Sequence, residues 1–334
     1  MNQPFVTIII PSRNEEKFIS DCLDSFIEND YPKEKLEILV VDGASIDNTR
    51  KIVFGYEKKY NYIRLLDNPL KIFPTAVNLG IKASKADFIL IAGSHARYKK
   101  DYVSKCIYNS FKYNANNVGG ILITIAIEDN FISEAITIVL SSRLGVGNSV
   151  FRTGSNKVIE VDTVFGGCYK REVFDKIGYF NENLISTSDY EFNKRLRRNG
   201  GKIYLNPEIK AYYYTRTSLK RFLSNNFRNG FWSIYPLAFV NYLPVSLRHL
   251  IPLFFFLGLS GSFILSYFSH FFGYILLGFL FSYFAITLSY SIKTFRLKMV
   301  ICLPILFFLL HLTYGIGSFV GMVKLILLRT FKSK

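Results

Sequence analysis

Cysteine is scarce in this sequence. Cys22, Cys106, Cys168 and Cys302 are the only four among 334 residues, and no two form a Cys-x-x-Cys pair. That spacing excludes a disulfide framework at this size and leaves four free thiols, buried or membrane-embedded, in a reducing compartment. Glycine-rich nucleotide loops are missing as well. No Gly-x-Gly-x-x-Gly follows the first β-branched run and no Walker A lysine loop occurs anywhere, which excludes a dinucleotide-binding sheet and a P-loop enzyme. Met-Asn-Gln-Pro at the start has neither a basic n-region nor an apolar h-region, so no signal peptide is expected and the soluble part should stay in the cytoplasm. Nucleic-acid-binding motifs are absent too, although the net charge is +16.

What is present is apolar and basic. Half the residues are hydrophobic and the mean hydropathy is +0.21, high for a soluble enzyme. The excess lies beyond about residue 250, where the sequence reads as membrane; before about 245 it reads as α/β. With such a tail, an anionic membrane surface is the simplest partner for the positive charge, and nucleic acid is not expected as one.

The first half alternates strand and helix patterns. Phe5–Pro11 is a β-branched run, followed by Asn14 as a candidate helix cap and by Phe18, Ile19, Cys22, Leu23, Phe26 and Ile27 at helical spacing. Leu36–Val41 reads as a second strand ending in Asp42-Gly43, with Asp47 and Asn48 able to start the next helix. Tyr62–Leu66 reads as a third strand, Asn68-Pro69 as a turn, Pro74–Ala83 as a helix and Phe88–Ala92 as a fourth strand. The pattern implies a Rossmann-like, mostly parallel sheet with helices on both faces. Ligands of such sheets gather beyond the carboxyl ends of the strands, which puts Asp42 at one strand end and Gly93-Ser94-His95 at another. Asp42 there is suited to accept hydrogen bonds from a base or ribose, or equally to close an Asx turn.

Five further pieces then fall in one order: Val6–Pro11 with Arg13-Asn14-Glu15; Val40-Val41-Asp42-Gly43-x-Ser45-x-Asp47-x-Thr49; Asn78-x-Gly80; Phe165–Glu182; and Ser188–Gly200. Together they resemble a family 2 glycosyltransferase of the GT-A fold over most of residues 4 to 232, and the apolar tail resembles that of membrane enzymes of succinoglycan and other exopolysaccharide synthesis. The resemblance implies a nucleotide-sugar site, for a UDP-sugar in the first place, using Pro11, Arg13, Glu15, Asp42, Lys71, Asn78, Gly93, Ser94 and Arg228. It implies an acceptor side at Gly166, Gly167 and Glu191, and a catalytic base at Asp189 with Glu191 as a second carboxylate one turn away. The family's Asp-x-Asp, which holds Mn²⁺ or Mg²⁺ on the donor diphosphate, corresponds to Gly93 and His95. Its first carboxylate is therefore missing, and His95 is either a metal ligand or a loop cap; Arg97 or Lys71 is placed to replace part of the cation's charge. Ser188 stands where the family has Glu before the base.

Asp189 has a bland reading as well, because a carboxylate at a helix start is stabilised by the dipole whether or not it reacts. In a displacement at an anomeric carbon, however, a carboxylate must take the acceptor hydroxyl proton. Downstream, Thr215–Arg221 and Asn225–Trp232 resemble the segment before the membrane, in which Arg228 reaches the diphosphate. Lys220, Arg221 and Arg228 among Phe222, Leu223, Phe227 and Trp232 read equally as a basic interfacial helix for membrane lipids.

The expected organisation is a GT-A domain over 1–235, then interfacial and transmembrane helices over 236–334, with spans near 250–268, 271–290 and 299–323. Lys293, Arg296 and Lys298 place the second link on the cytoplasmic side, whereas Lys324, Arg329, Lys332 and Lys334 oppose a full third crossing, which would otherwise turn back at Gly315-Ile316-Gly317. His311 and Tyr314 would contact a lipid-linked acceptor or neighbouring helices, and Gly317-x-x-x-Gly321 would make a packing face. The expected function is inverting transfer from a nucleotide sugar to a lipid-linked glycan at the inner membrane of a bacterium, the enzyme being multi-pass with a cytoplasmic catalytic domain. The alternative, motivated by Gly93, is a catalytically impaired membrane scaffold.

Overall fold

The computed structural model describes residues 3–126, 130–215 and 218–332. The chain runs β1 (Val6–Ser12), α1 (Ile19–Ile27), β2 (Leu36–Asp42), α2 (Thr49–Lys59), β3 (Ile63–Asp67), α3 (Phe73–Ala83), β4 (Phe88–Ile91), β5 (Ala96–Tyr98), α4 (Tyr102–Lys112) and β6 (Asn117–Ala126). It continues through α5 (Phe131–Ser141), α6 (Arg143–Val146), α7 (Val150–Thr153), β7 (Ile159–Glu160), β8 (Phe165–Lys170), α8 (Glu172–Ile177), α9 (Ser188–Arg198) and β9 (Ile203–Thr215). Four long helices follow: α10 (Leu219–Ile234), α11 (Ile251–Ser266), α12 (His270–Ile292) and α13 (Leu297–Lys332). Two compact units divide these elements. One is Met1–Ile125 with Val150–Tyr214; the other is Ala126–Ser149 with Thr215–Lys334.

The first unit is built on a sheet of order β3-β2-β1-β4-β8-β6-β9-β5, with β7 paired to β9. The four strands read from the sequence are its parallel half, β1 running in register with β2 from Val6 opposite Leu36 to Ser12 opposite Asp42. Beyond β4 the β4–β8, β6–β8, β5–β9 and β7–β9 pairings are antiparallel, so the sheet is mixed. Helices cover both faces of the parallel half. Ile8, Ile9, Ile10, Ile38, Leu39, Val40 and Val41 are all fully buried, alternate residues facing opposite layers. Each such side chain removed from water stabilises the fold by about 1.5–3 kcal/mol. Gly80 permits the close approach of α3 to β1, since a Cβ there would lie 2.6 Å from the Ile9 side chain.

Asn14 does not cap α1, which starts at Ile19. It adopts a left-handed φ of 55° and spans two loops instead. Its amide donates to Ser45 Oγ (2.9 Å) and its Oδ1 accepts from the Ile46 amide (2.9 Å). The Glu15 amide donates to Thr49 Oγ1 (2.7 Å). The loops after β1 and β2 are thereby fixed to one another at the carboxyl edge of the sheet.

In the second unit α10 lies against α13 at backbone contact. A Cβ on Gly230 would stand 2.0 Å from the Tyr314 carbonyl oxygen, one on Gly317 2.1 Å from that of Phe227, and one on Gly321 2.6 Å from that of Phe231. The helix expected to close the first domain is thus packed in the second unit, on the small-residue face of α13. That last helix is continuous through Gly315 and Gly317 rather than turned back there. Leu247–Ser266, His270–Ile292 and Leu297–Phe331 are each long and apolar enough to cross a membrane. His311 within the third pairs through Nδ1 with the Tyr283 hydroxyl (2.8 Å). Arg216, Thr217 and Lys334 of the sequence motifs lie outside the described residues.

Candidate active site

The strand ends deliver three groups of residues to one edge of the sheet. β1 brings Pro11, Arg13 and Glu15; β2 and β3 bring Asp42, Gly43 and Lys71; β4 brings Gly93, Ser94 and His95. Arg13 flanks Gly43, where an added Cβ would lie 3.4 Å from the Arg13 side chain and 3.5 Å from the Lys71 Cα. Arg13 and Lys71 are exposed, so two solvent-facing cations border this part of the edge. Asp42 is fully buried. Its Oδ2 accepts from the Ser45 amide (3.0 Å) and from Arg50 Nη1 (2.9 Å), and its Oδ1 from Ser45 Oγ (2.5 Å). The carboxylate is spent on the turn and on Arg50, which is the Asx-turn reading. Asn78 is likewise engaged, clamping the Phe180 amide and carbonyl (2.9 Å each) and Glu182 (2.8 Å).

The loop after β4 explains its own missing carboxylate. A Cβ placed on Gly93 would meet Phe165 Cζ at 3.3 Å. The Phe165 ring, stacked on Tyr98 at 6.3 Å, thus stands against the space a side chain at 93 would enter. The Gly93 amide donates to the Tyr98 hydroxyl (2.6 Å), and Tyr98 packs against Phe26 and Tyr102 (4.5 and 4.9 Å). Ser94 is buried and His95 half-buried. His95 Nδ1 makes no hydrogen bond among the described residues but lies 3.5 Å from Glu15 Oε1. The edge of its ring meets Tyr213 at 4.7 Å. The pairing of His95 with Glu15, from the ends of adjacent parallel strands, was not legible in the sequence. No group of three His, Cys, Asp or Glu side chains converges among the described residues. One imidazole and one carboxylate do not make a metal site by themselves. They do fit a divalent cation that takes its other ligands from phosphate oxygens and water. Arg97 is not available to phosphate, being paired with Asp21 on α1 (2.5 Å) and with Glu28 just after it (2.7 Å).

Across the sheet edge, α9 presents Asp189 in its first turn. Burial pushes its carboxyl up from an ordinary 3.8 to about 6, against the opposing pull of the Tyr190 and Asp189 backbone amides. A carboxylate poised near neutrality is what a general base requires. Two residues that follow it hold the helix, Asn193 and Phe192. Asn193 accepts from Tyr169 Oη (3.0 Å) and Asn117 Nδ2 (3.2 Å) and donates to Thr163 Oγ1 (2.9 Å), all of it buried. Phe192 stacks on Phe180 at 4.3 Å and on Phe174 at 5.2 Å. Glu191, 2% exposed, is held by Arg195 through both oxygens (2.8 and 3.1 Å) and is not a free second carboxylate. Gly166 has φ +58° and sits under Tyr102, whose hydroxyl would lie 2.4 Å from a Cβ there; Gly167 abuts Asn117 at 2.7 Å in the same sense. Both are explained by packing. Arg228 belongs to the second unit, where its Nη2 donates to Asn225 Oδ1 (3.2 Å).

Strand ends loaded with loops that lock together, a carboxylate raised toward neutrality and a mixed sheet of this order define a glycosyltransferase of GT-A type. The sequence profile of glycosyl transferase family 2 matches residues 7–178. The chain belongs to that family. It is 32% identical, over 96% of its length and 98% of the relative's, to the dolichyl N-acetyl-alpha-D-glucosaminyl phosphate 3-beta-D-2,3-diacetamido-2,3-dideoxy-beta-D-glucuronosyltransferase of Methanococcus voltae. It is 25% identical to the succinoglycan biosynthesis protein ExoA of Rhizobium meliloti, over 64% of each chain. Among solved structures, the mannosyltransferase PcManGT of Pyrobaculum calidifontis, in complex with GDP-Man and Mn²⁺, shares the fold with a TM-score of 0.62 at 15% identity, covering 96% of this chain and 88% of that one.

Proposed function

We propose that this glycosyltransferase moves a sugar from a nucleotide-sugar donor to a lipid-linked, phosphate-bearing glycan, with inversion at the anomeric carbon. The observation that carries the reading is Asp189, a desolvated carboxylate at the start of α9 whose acidity is set near neutral pH. Asp189 takes the proton of the acceptor hydroxyl as its oxygen attacks the anomeric carbon. The bond from that carbon to the diphosphate breaks on the opposite face, and the nucleoside diphosphate leaves with the electron pair. The exposed cations Arg13 and Lys71 lie at the donor side of the sheet edge and favour an anionic donor. A divalent cation, when bound, would neutralise charge on the leaving diphosphate. His95 and Glu15 would hold it, with Ser94 and Gly93 forming the loop beneath. The Methanococcus voltae relative supports the acceptor class, since its name gives a dolichyl-linked phosphate sugar as the molecule it acts on. The three apolar helices support placement at the cytoplasmic membrane, with the transferase unit on the cytoplasmic side where nucleotide sugars are made.

The test is transfer by the membrane-reconstituted chain, using a panel of UDP- and GDP-sugars and a polyprenyl-linked acceptor. One donor should turn over, and Asp189→Asn should reduce turnover by on the order of 10²–10⁴-fold while leaving donor binding intact. Failure of every donor, with no nucleotide bound in calorimetry, would favour the scaffold alternative.

A further inference from the structure

Arg152 was not singled out by any sequence pattern, yet its surroundings in the first unit are unusual. It lies in the short helix α7. Its guanidinium stacks 5.5 Å from the Phe151 ring and 5.9 Å from that of Tyr213. Tyr213 is the ring that His95 meets edge-on at 4.7 Å, and it also meets Phe165, the residue standing against Gly93, at 6.2 Å. Arg152 is therefore one aromatic ring away from the loop that faces the leaving group. Its Nη1 is buried and makes no hydrogen bond among the described residues. A guanidinium carries its charge at every accessible pH, and a buried N–H of such a group without an acceptor is costly. Stacking on two rings fixes the plane of the fork but satisfies none of its donors in that plane. The loop after β4 offers no carboxylate at position 93, which is glycine, and Glu15 lies against His95.

We propose that Arg152 is an anion-binding residue of this transfer site, its planar fork receiving the oxygens of a diphosphate. The assignment rests on the glycosyltransferase reading above and extends it. Two molecules of that reaction carry the same chemistry: the nucleotide donor and a lipid-linked acceptor. Tyr213 acts as the platform that keeps the guanidinium in place, so its ring, and not its hydroxyl, is what Arg152 needs.

The experiment uses the full chain in detergent. UDP, GDP, inorganic diphosphate and geranyl diphosphate are each titrated by calorimetry into wild type, Arg152→Gln, Arg152→Lys and Asp189→Asn. Melting temperatures and transfer rates are measured alongside. Binding to Arg152→Gln weakened tenfold or more, with a melting temperature near that of wild type, supports the assignment; Arg152→Lys, which keeps the charge and loses the fork, should fall between. A loss confined to UDP or GDP makes the donor the source, and a loss confined to geranyl diphosphate makes it the acceptor. Should Arg152→Gln fail to fold, Tyr213→Phe and Tyr213→Ala replace it: the first should bind as wild type and the second should lose diphosphate affinity. Wild-type affinities and normal transfer in Arg152→Gln, with only a lowered melting temperature, would mean packing alone; that result overturns the assignment and leaves the proposed function standing. A wild type that transfers no sugar and binds none of the four probes overturns both.

Discussion

Gly93 marks the position at which this chain departs from the carboxylate-bearing loop of its family, and the departure has a packing consequence. The Phe165 ring stands in contact with the place a side chain would take. Restoring the acid alone should therefore not restore a two-carboxylate loop. Gly93→Asp is expected to destabilise by about 1–3 kcal/mol through overpacking. Gly93→Asp combined with Phe165→Ala should recover part of that loss, a non-additivity that denaturant titration of the four-membered cycle would reveal. Additive losses would show that Phe165 does not contest the space. Asp189 has its own signature in stability. Its carboxyl is raised to about 6 from an ordinary 3.8, so the folded state disfavours ionisation. The contribution to stability is full below 3.8 and is lost as pH rises through about 6. Asp189→Asn keeps the shape without the charge, so its melting temperature should gain on wild type as pH rises from 3.8 to about 6 and hold that gain above it, by differential scanning calorimetry at several pH values. A difference that is flat with pH would contradict the desolvated carboxylate.

Among the elements, α9 and the α10–α13 pair bear on function in different ways. Asn193 ties α9 to Asn117, Tyr169 and Thr163 inside the protein, four residues after Asp189, the proposed base. Asn193→Leu leaves these partners unsatisfied at a cost of about 1–3 kcal/mol and lets the first turn of α9 shift. The expected outcome is a fall in kcat with the donor KM little changed, because the base is displaced while the donor site is not. The glycines of α10 and α13 fix a helix pair at backbone contact. Gly317→Val needs space already held by the Phe227 carbonyl at 2.1 Å, so α10 should detach and become protease-sensitive while the sheet unit survives. Proteolysis that leaves α10 as protected as in wild type would contradict that packing. The parallel strands β1 to β4 were legible because each is a short, mostly apolar run ended by a turn signal, broken only by a polar residue such as Glu37 in β2 or Arg64 in β3. β6, β8 and β9 were not, since Gly119-Gly120, Gly166-Gly167 and Asn206-Pro207 interrupt their runs. Short β5, three residues long, carries too little pattern to be read at all.

Taken whole, the molecule joins a sheet unit that carries the chemistry to a helical unit whose three long segments are suited to a bilayer. Composition separates an α/β part from an apolar part, and α10, amphipathic and basic, is grouped by its sequence with the first 235 residues and by its glycine contacts with α13. In the site, the residue types were legible and their employment was not. Asp42, Asn78 and Glu191 carry the right chemistry for ligands, yet each is already hydrogen-bonded or ion-paired within the fold. Glu15 and His95 meet only in three dimensions. A +16 chain with apolar helices should remain with the membrane fraction through a high-salt wash and be released only by detergent.

If Asp189 removes the acceptor proton, its ionisation sets the pH dependence of kcat/KM. The rate should climb about tenfold per pH unit below about 6 and level off above it, following the ionisation of this carboxyl. Asp189→Asn should lose both the rate and that rising limb while still binding donor. A variant that keeps wild-type kcat/KM, or the same rise through pH 6, would contradict the account.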